Sequence, residues 1–488
     1  MAAHCNRTAS GPFTRCGTAA RSLYAPCRIT AAPKQRPSLA VNVDLIRLQR
    51  VRWDRAAWKV QRQFEQQRGR APEPRHSRGH RDNGSVRLLV LGAGPPQLGV
   101  LAAARRRGLT IVAADRDPSA PGFRYADRRA IVSIEDEPAI DRLARAEEVD
   151  GLIATGTDHA VGIAARVAQR LGVPHPLQPE AAALSVSKLR QRERLAAAGF
   201  AQPRSIACRT PAEAAAAAGE LGYPLVVEAP NRMGERAVRL ARTADELAAA
   251  TTGALAEASG DYCLVEELPG LRAVTVTAFL RDRQFVPLTV TDPAPAPPPA
   301  FGVPLAHLWP ADLEPDEAAS VTETTAAAAD ALGIEHGPVT AQLLLGPTGP
   351  LVAKVSARLG GGHDAELCRA ALGVDASALA VAVALGEPVH EHELAPATRA
   401  GGACVRFLVA PRGVLTEIAG VESAFTVAGV RAIRIYRKPG HVFGDLRRAS
   451  DRAGAILATG RTRAAAEEAA DESAGRIRFV TMPAEAVA

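Results

Sequence analysis

The sequence has 488 residues, with 59 Lys and Arg against 52 Asp and Glu, a formal charge of +7 and a pI near 9.2. Its length exceeds one simple domain. The lack of a long apolar run excludes a membrane helix, and seven cysteines without tight spacing argue against a disulfide framework or a zinc ribbon. The charge sits at one end: residues 1–85 hold 17 basic and five acidic residues, which leaves the rest of the chain at −5.

Residues 1–85 have no sustained apolar period and are rich in Arg, Gln, Ser and Pro. They read as a disordered basic tail. Residues 1–43 contain no acid and resemble an organellar transit peptide. A nucleic-acid-binding or membrane-surface arm is the functional reading of such a segment, and an uninformative tail is the plain one. The plain one is preferred, because only five of the 59 basic residues of the chain are Lys, as a GC-rich gene would give. Cys5, Cys16 and Cys27 of this tail read as incidental.

From Val86 strands alternate with helices: Val86–Leu91, Thr110–Ala114, Ala130–Ser133 and Gly151–Ala154, separated by helical stretches near Pro138–Ala146 and His159–Leu171. This predicts a doubly wound parallel sheet over 86–184. The first turn is Gly92-Ala93-Gly94-Pro95-Pro96-Gln97. A dinucleotide fingerprint needs glycine where Gln97 stands, so NAD is not expected despite Asp115 at the end of the second strand.

A second region, 185–390, is expected to hold helix Ser187–Ala198, strand Leu225–Glu228, a polar loop Asn231–Arg236, strand Val238–Ala241, helix Ala244–Ala258 and strand Tyr262–Glu266. Two antiparallel strands, Thr275–Leu280 and Phe285–Thr291, follow. Pro293–Pro304 reads as an extended loop. Helix Asp316–Leu332 leads to a hairpin, Val339–Leu345 with Leu351–Val355, and then to the loop Gly360-Gly361-Gly362-His363. Residues 391–488 predict a small α+β cap domain.

The order of these pieces resembles the ATP-grasp superfamily, and within it the carboxylate–amine ligases akin to biotin carboxylase and the L-amino-acid ligases. The stretches LVLGAGPPQLG, SKLRQRERLAAAGFAQPR, LGYPLVVEAP, YCLVEELPG, HGPVTAQLLLGPTGPLVAKVSARLGGGH, ALGVD and DRAGAILATGRTRAAAEEA carry the likeness, in order, over about 86–488. It implies an ATP-grasp domain of two subdomains between an N-terminal doubly wound domain and the C-terminal cap. It also implies ATP, Mg2+, small carboxylate and amine substrates, an acyl phosphate intermediate and a cytoplasmic, membrane-free protein, with a homodimer among the allowed assemblies. Such chemistry is mostly positioning and charge neutralisation.

By the same resemblance, Lys188 falls on a nucleotide-contacting lysine. Val265, Glu266 and Glu267 fall on the hinge whose backbone meets adenine, and Arg358 on the catalytic arginine. Gly361, Gly362 and His363 fall on the loop beside that arginine, and Gly234 on the one retained glycine of the phosphate loop. Other positions depart from the family. Glu228 stands for a phosphate-binding lysine and Arg272 for a ribose-holding acid. The metal-binding positions carry Gln342, Lys354 and Ser356. Magnesium prefers anionic oxygen ligands, and a unit charge pair about 4 Å apart is worth about 4 kcal/mol at an effective dielectric near 20. These changes therefore put Mg2+ binding and turnover in question.

Three readings follow. The preferred one is a member with impaired or lost catalysis, in which Glu228 pairs with Lys354 or with Arg272 across the cleft. The second is an active ligase in which Lys354 substitutes for magnesium. The third is a nucleic-acid-binding protein, which rests on the tail alone. A shift of register around Glu228 is a further alternative.

Overall fold

The computed structural model describes residues 85–229, 238–258, 262–297 and 300–483. The basic tail, the loop Asn231–Arg236 and Gly234 lie outside the described residues.

Strands β1 (Arg87–Leu91), β2 (Thr110–Asp115), β3 (Arg128–Ile131) and β4 (Gly151–Ala154) form a parallel sheet in the order β3-β2-β1-β4. Leu88–Leu91 are wholly buried, as expected of a central parallel strand covered on both faces. Its first turn is closed from within. Gly92 has φ +100, and a Cβ there would lie 2.7 Å from the Gln97 side chain. Gln97 Nε2 donates to Thr155 O at 2.5 Å, while Asp115 accepts from the N–H groups of Ala93 at 2.8 Å and Asp117 at 2.9 Å. The acid and the amide thus spend their polar groups on the turn itself.

A small antiparallel sheet follows, made of β5 (Ser205–Cys208), β6 (Leu225–Glu228), β7 (Arg239–Ala241) and β8 (Cys263–Glu267) in the order β5-β8-β6-β7. Two Ala-rich helices, Pro211–Leu221 and Ala244–Glu257, pack on it around Leu225, Val227, Leu247 and Val265. Each begins at a threonine whose hydroxyl accepts from the third backbone N–H: Thr210 from Glu213 at 3.1 Å, Thr243 from Glu246 at 3.2 Å.

The remaining strands are β9 (Arg272–Arg281), β10 (Gln284–Pro295), β11 (Pro304–Trp309), β12 (Gly337–Gly346), β13 (Gly349–Ser356), β14 (Gly402–Leu408), β15 (Gly413–Ala419), β16 (Val430–Ile435), β17 (Val442–Phe443), β18 (Gly454–Gly460) and β19 (Arg478–Met482). Eight of them make one sheet, β13-β12-β9-β10-β11-β14-β18-β16, and β17-β15-β19 a smaller one. The large sheet runs across residue 390: β14 pairs with β11 from Ala306↔Arg406 to Trp309↔Ala403. The Pro/Ala-rich stretch differs from its expectation. Pro293 and Pro295 belong to β10 and Pro304 opens β11, with a bulge between Ala294 and Pro295 that accommodates a residue lacking an N–H. Among the described residues no helix is long and apolar enough to cross a membrane.

Candidate active site

Lys188 is placed by two clamps. Ser187 caps the helix Lys188–Ala197, accepting from Arg190 N at 3.4 Å. Three residues on, Gln191 lies along β13, donating to Val355 O at 2.8 Å and accepting from Val355 N at 3.1 Å, and Arg192 Nη1 donates to Val352 O at 2.7 Å. The ammonium of Lys188 then reaches Glu266 Oε2 at 2.5 Å and also donates to Glu228 Oε2. Arg192 completes the group, with Nε 3.1 Å and Nη2 2.9 Å from Glu266 Oε1.

Two cations meet two carboxylates here, and the cluster is neutral. Burial alone would raise the Glu266 carboxyl, but Lys188 and Arg192 overcome this and hold it below its usual range. Burial would likewise lower Lys188, and Glu228 and Glu266 instead raise it. The paired Glu228 therefore faces the cluster around Lys188. It pairs with Lys188 and not, as expected, with Lys354 or Arg272.

The hinge offers little to a purine edge. Val265 and Glu266 lie in the central strand of the small sheet, paired on both sides. Glu267 N–H donates to Arg204 O at 3.0 Å, Leu268 N–H to Pro224 O at 3.2 Å, and Pro269 has no N–H. The Glu267 carboxylate is held by Arg204, whose Nε is 2.8 Å away.

A second cluster sits on the hairpin β12–β13. Directly opposite residues share a face, so Thr340↔Ser356 and Gln342↔Lys354 bring the four side chains together. Gln342 is exposed and Ser356 buried. Lys354 Nζ donates to Asp158 Oδ2 at 2.6 Å, and Arg358 Nε to Asp158 Oδ1 at 2.7 Å. Arg358 Nη1 donates to Leu359 O at 3.0 Å. Asp158 opens the helix Asp158–Leu171 at the carboxyl end of β4, where open α/β sheets place their ligands. Burial would raise its carboxyl, yet Arg358 and Lys354 hold it far below the usual carboxylate range. Here two cations share one carboxylate.

Arg272 lies elsewhere, with Nη2 at 2.6 Å from Asp292 Oδ1 and Nη1 at 2.6 Å from Asp312 O. Arg463 Nη1 takes the other Asp292 oxygen. This ties the start of β9 to the C-terminal helix Arg463–Arg476.

The glycine loop is held against segments distant in sequence. Gly156, at φ +68, donates its N–H to Leu359 O at 3.1 Å, and a Cβ on it would meet Pro96 at 2.3 Å. His363, at φ +61, is buried. Its Nδ1 lies 3.0 Å from Glu366 Oε1, its Nε2 bonds the Tyr436 hydroxyl, and its ring stacks on Phe407. Beside the loop His307 is also buried, and burial lowers its imidazole below the ordinary value. A Cβ on Gly362 would lie 2.6 Å from its Nε2, and its Nδ1 has no hydrogen-bond partner among the described residues.

Sequence reasoning missed Asp158, Arg192, Asp292 and His307. For Asp158 one signal exists, an acid at the first position of the helix that follows a strand of the doubly wound sheet.

The metal positions do not suit magnesium. They offer an amide, an ammonium and a hydroxyl, and the nearby carboxylate of Asp158 is already shared by two cations. Among the described residues no group of three His, Cys, Asp or Glu could hold a metal ion.

Residues 187–392 match the family model of the carbamoyl-phosphate synthase L chain, ATP binding domain, and residues 406–482 that of the L-amino acid ligase C-terminal domain 2. The structure is similar to the crystal structure of an L-amino acid ligase from Bacillus licheniformis, with a TM-score of 0.70 at 20% identity, over 82% of this chain and 100% of that one. The chain has the ATP-grasp fold. Among curated relatives, this ATP-grasp chain is 27% identical over 380 residues to the uncharacterised protein y4rH of Sinorhizobium fredii, covering 75% of this chain and 76% of that one. It is 25% identical over 416 residues to a formate-dependent phosphoribosylglycinamide formyltransferase of Sulfurisphaera tokodaii, covering 81% and 97%.

Proposed function

We propose that this protein is an ATP-grasp relative of the carboxylate–amine ligases that does not carry out magnesium-dependent acyl-phosphate turnover, and that it holds small-molecule ligands in the inherited cleft. The observation that carries this reading is Lys188. By the resemblance it stands at a nucleotide-contacting lysine, and its ammonium is paired with Glu228 and Glu266. A triphosphate would have to displace one of those carboxylates and would then face its charge. Breaking a partly buried pair of this kind costs about 1–3 kcal/mol. Gln342, Lys354 and Ser356 add a second obstacle, since none supplies the anionic oxygen magnesium needs.

The experiment is a titration of the full chain with Mn2+ as a paramagnetic stand-in for magnesium, with and without ATP. The expected result is that free Mn2+ falls only as far as ATP alone chelates it. A tight protein-dependent Mn2+ site in the presence of ATP would overturn the reading. The runner-up is an active ligase with Lys354 in place of the metal, and its mark would be turnover in metal-free buffer.

A further inference from the structure

The small sheet holds a facing pair of cysteines. Cys208 is the last residue of β5 and Cys263 the first of β8, and the two stand directly opposite each other. Directly opposite residues share a face, and both thiols enter the core of this sheet beside Ala214, Ala217 and Leu247. Both are buried, and both are free thiols. Cys368 and Cys404, by contrast, belong to two other cores. The N–H of Glu267 donates to Arg204 O, so that rung carries cross-strand hydrogen bonding, and such rungs alternate along an antiparallel pair. Counting along the register puts Cys208 and Cys263 on another such rung, where Cα atoms lie about 5.5 Å apart. A disulfide spans Cα separations of about 4.4–6.8 Å. The Cβ atoms must draw closer than in the open ladder, and this rung is the one at which β5 ends and β8 begins.

Strand β5 is also the one placed to open. It has four residues, lies at the edge of its sheet next to β8, and exposes Ala207. Short edge strands are where a fold opens at least cost. While β5 is closed the thiols are inert. Burial pushes the Cys208 thiol up to about 11 and raises that of Cys263 as well.

We infer that Cys208 and Cys263 form a reversible cross-strand disulfide, made by exchange with a small-molecule disulfide when β5 opens. Cys208 reacts first, because it sits on the strand that opens. Its thiolate attacks one sulfur of the small disulfide, whose S–S bond breaks. One thiolate leaves, and a mixed disulfide joins Cys208 to the other half. The Cys263 thiolate then attacks the Cys208 sulfur and expels that half. The two cysteines lose two electrons and two protons, and the small disulfide gains them as two thiols. The bond fastens the edge strand to β8, the strand that also carries Glu266, so the oxidised sheet holds the acid cluster at Lys188 more rigidly. The inference stands apart from the reading of the cleft and does not depend on it.

The test is incubation of the native full chain with oxidised glutathione, alkylation of the remaining thiols, and tryptic peptide mapping. The sequence places Cys208 in the peptide Ser205–Arg209 and Cys263 in Thr243–Arg272. The expected product is these two peptides joined, lighter by two hydrogens than their sum and separated again by dithiothreitol. Cys368 and Cys404 should be recovered alkylated. Amide exchange within β5 should slow at least about tenfold in the oxidised chain and recover on reduction. In Cys208→Ala the oxidant should leave that exchange unchanged. If Cys208→Ala does not fold, the wild-type map and its reversal by dithiothreitol decide alone. Recovery of both peptides alkylated overturns the inference. So does Cys208 carrying glutathione alone, Cys208 joined to any other cysteine, or a cross-link that leaves β5 exchange unchanged.

Discussion

Asp158 and Arg358 lie 200 residues apart in sequence, and Arg358 Nε meets Asp158 Oδ1 at 2.7 Å. With Lys354 on its other oxygen, Asp158 links the end of the parallel sheet to the β12–β13 hairpin. The pairing holds because one buried carboxylate answers two cations, and burial makes each depend on the other.

Asp158→Asn keeps the shape and removes the charge. Lys354 and Arg358 then repel each other at a largely buried point. A loss of about 3 kcal/mol in unfolding free energy is expected, read from the denaturant midpoint. Lys354→Met leaves Asp158 paired with Arg358 and should cost less.

Around Lys188 the two acids are not equal. The Glu266 side chain is 7% exposed and answers both Lys188 and Arg192, whereas Glu228 is 23% exposed and, among the described residues, answers Lys188 alone. Glu266→Gln should destabilise by about 3 kcal/mol and Glu228→Gln by about 1 kcal/mol. Glu228→Gln should also strengthen ATP binding, because it removes the charge facing a triphosphate. Parallel melts and titrations of the two variants check both statements.

Acid should act through the same carboxylates. Asp158 and Glu266 have folded-state pKa values below their unfolded ones. Their stabilisation is therefore complete above the ordinary carboxylate range of about 4 and is lost as pH falls below it, where the unfolded chain takes up more protons. Unfolding free energy should drop steeply below about pH 4 in the wild type and less steeply in Asp158→Asn.

Gly92 tests the closed first turn. Alanine there must adopt φ +100 and displace the Gln97 side chain. A loss of about 1–3 kcal/mol is expected from Gly92→Ala, measured as a shift of the melting temperature.

Much of the fold was legible because its signals are local. The hairpin β12–β13 announces itself by Gly346 and Gly349 between apolar strands, and the doubly wound sheet by Val/Leu-rich runs between amphipathic stretches. The helices Asp364–Leu372 and Ala376–Ala384 were not seen. The second is apolar almost all round, with Leu379, Ala380, Val381 and Ala384 buried, so it has no polar face to set a period. Strand β11 was hidden by prolines that sit at its start and at a bulge. The scarcity of lysine drew attention to Lys188 and Lys354, and both lie in charge clusters. Their partners were not legible. The expected pairing of Glu228 with Lys354 or Arg272 gave way to Lys188, and Lys354 found Asp158, 196 residues away. No local pattern encodes such contacts, which depend on how the sheets meet.

The most direct measurement is multiple-turnover ADP release by the full chain with ATP, magnesium and paired small carboxylates and amines. The expected result is release no faster than in the absence of protein. Sustained release that disappears in Arg358→Ala would contradict the loss of turnover inferred from Glu228, Gln342 and Lys354.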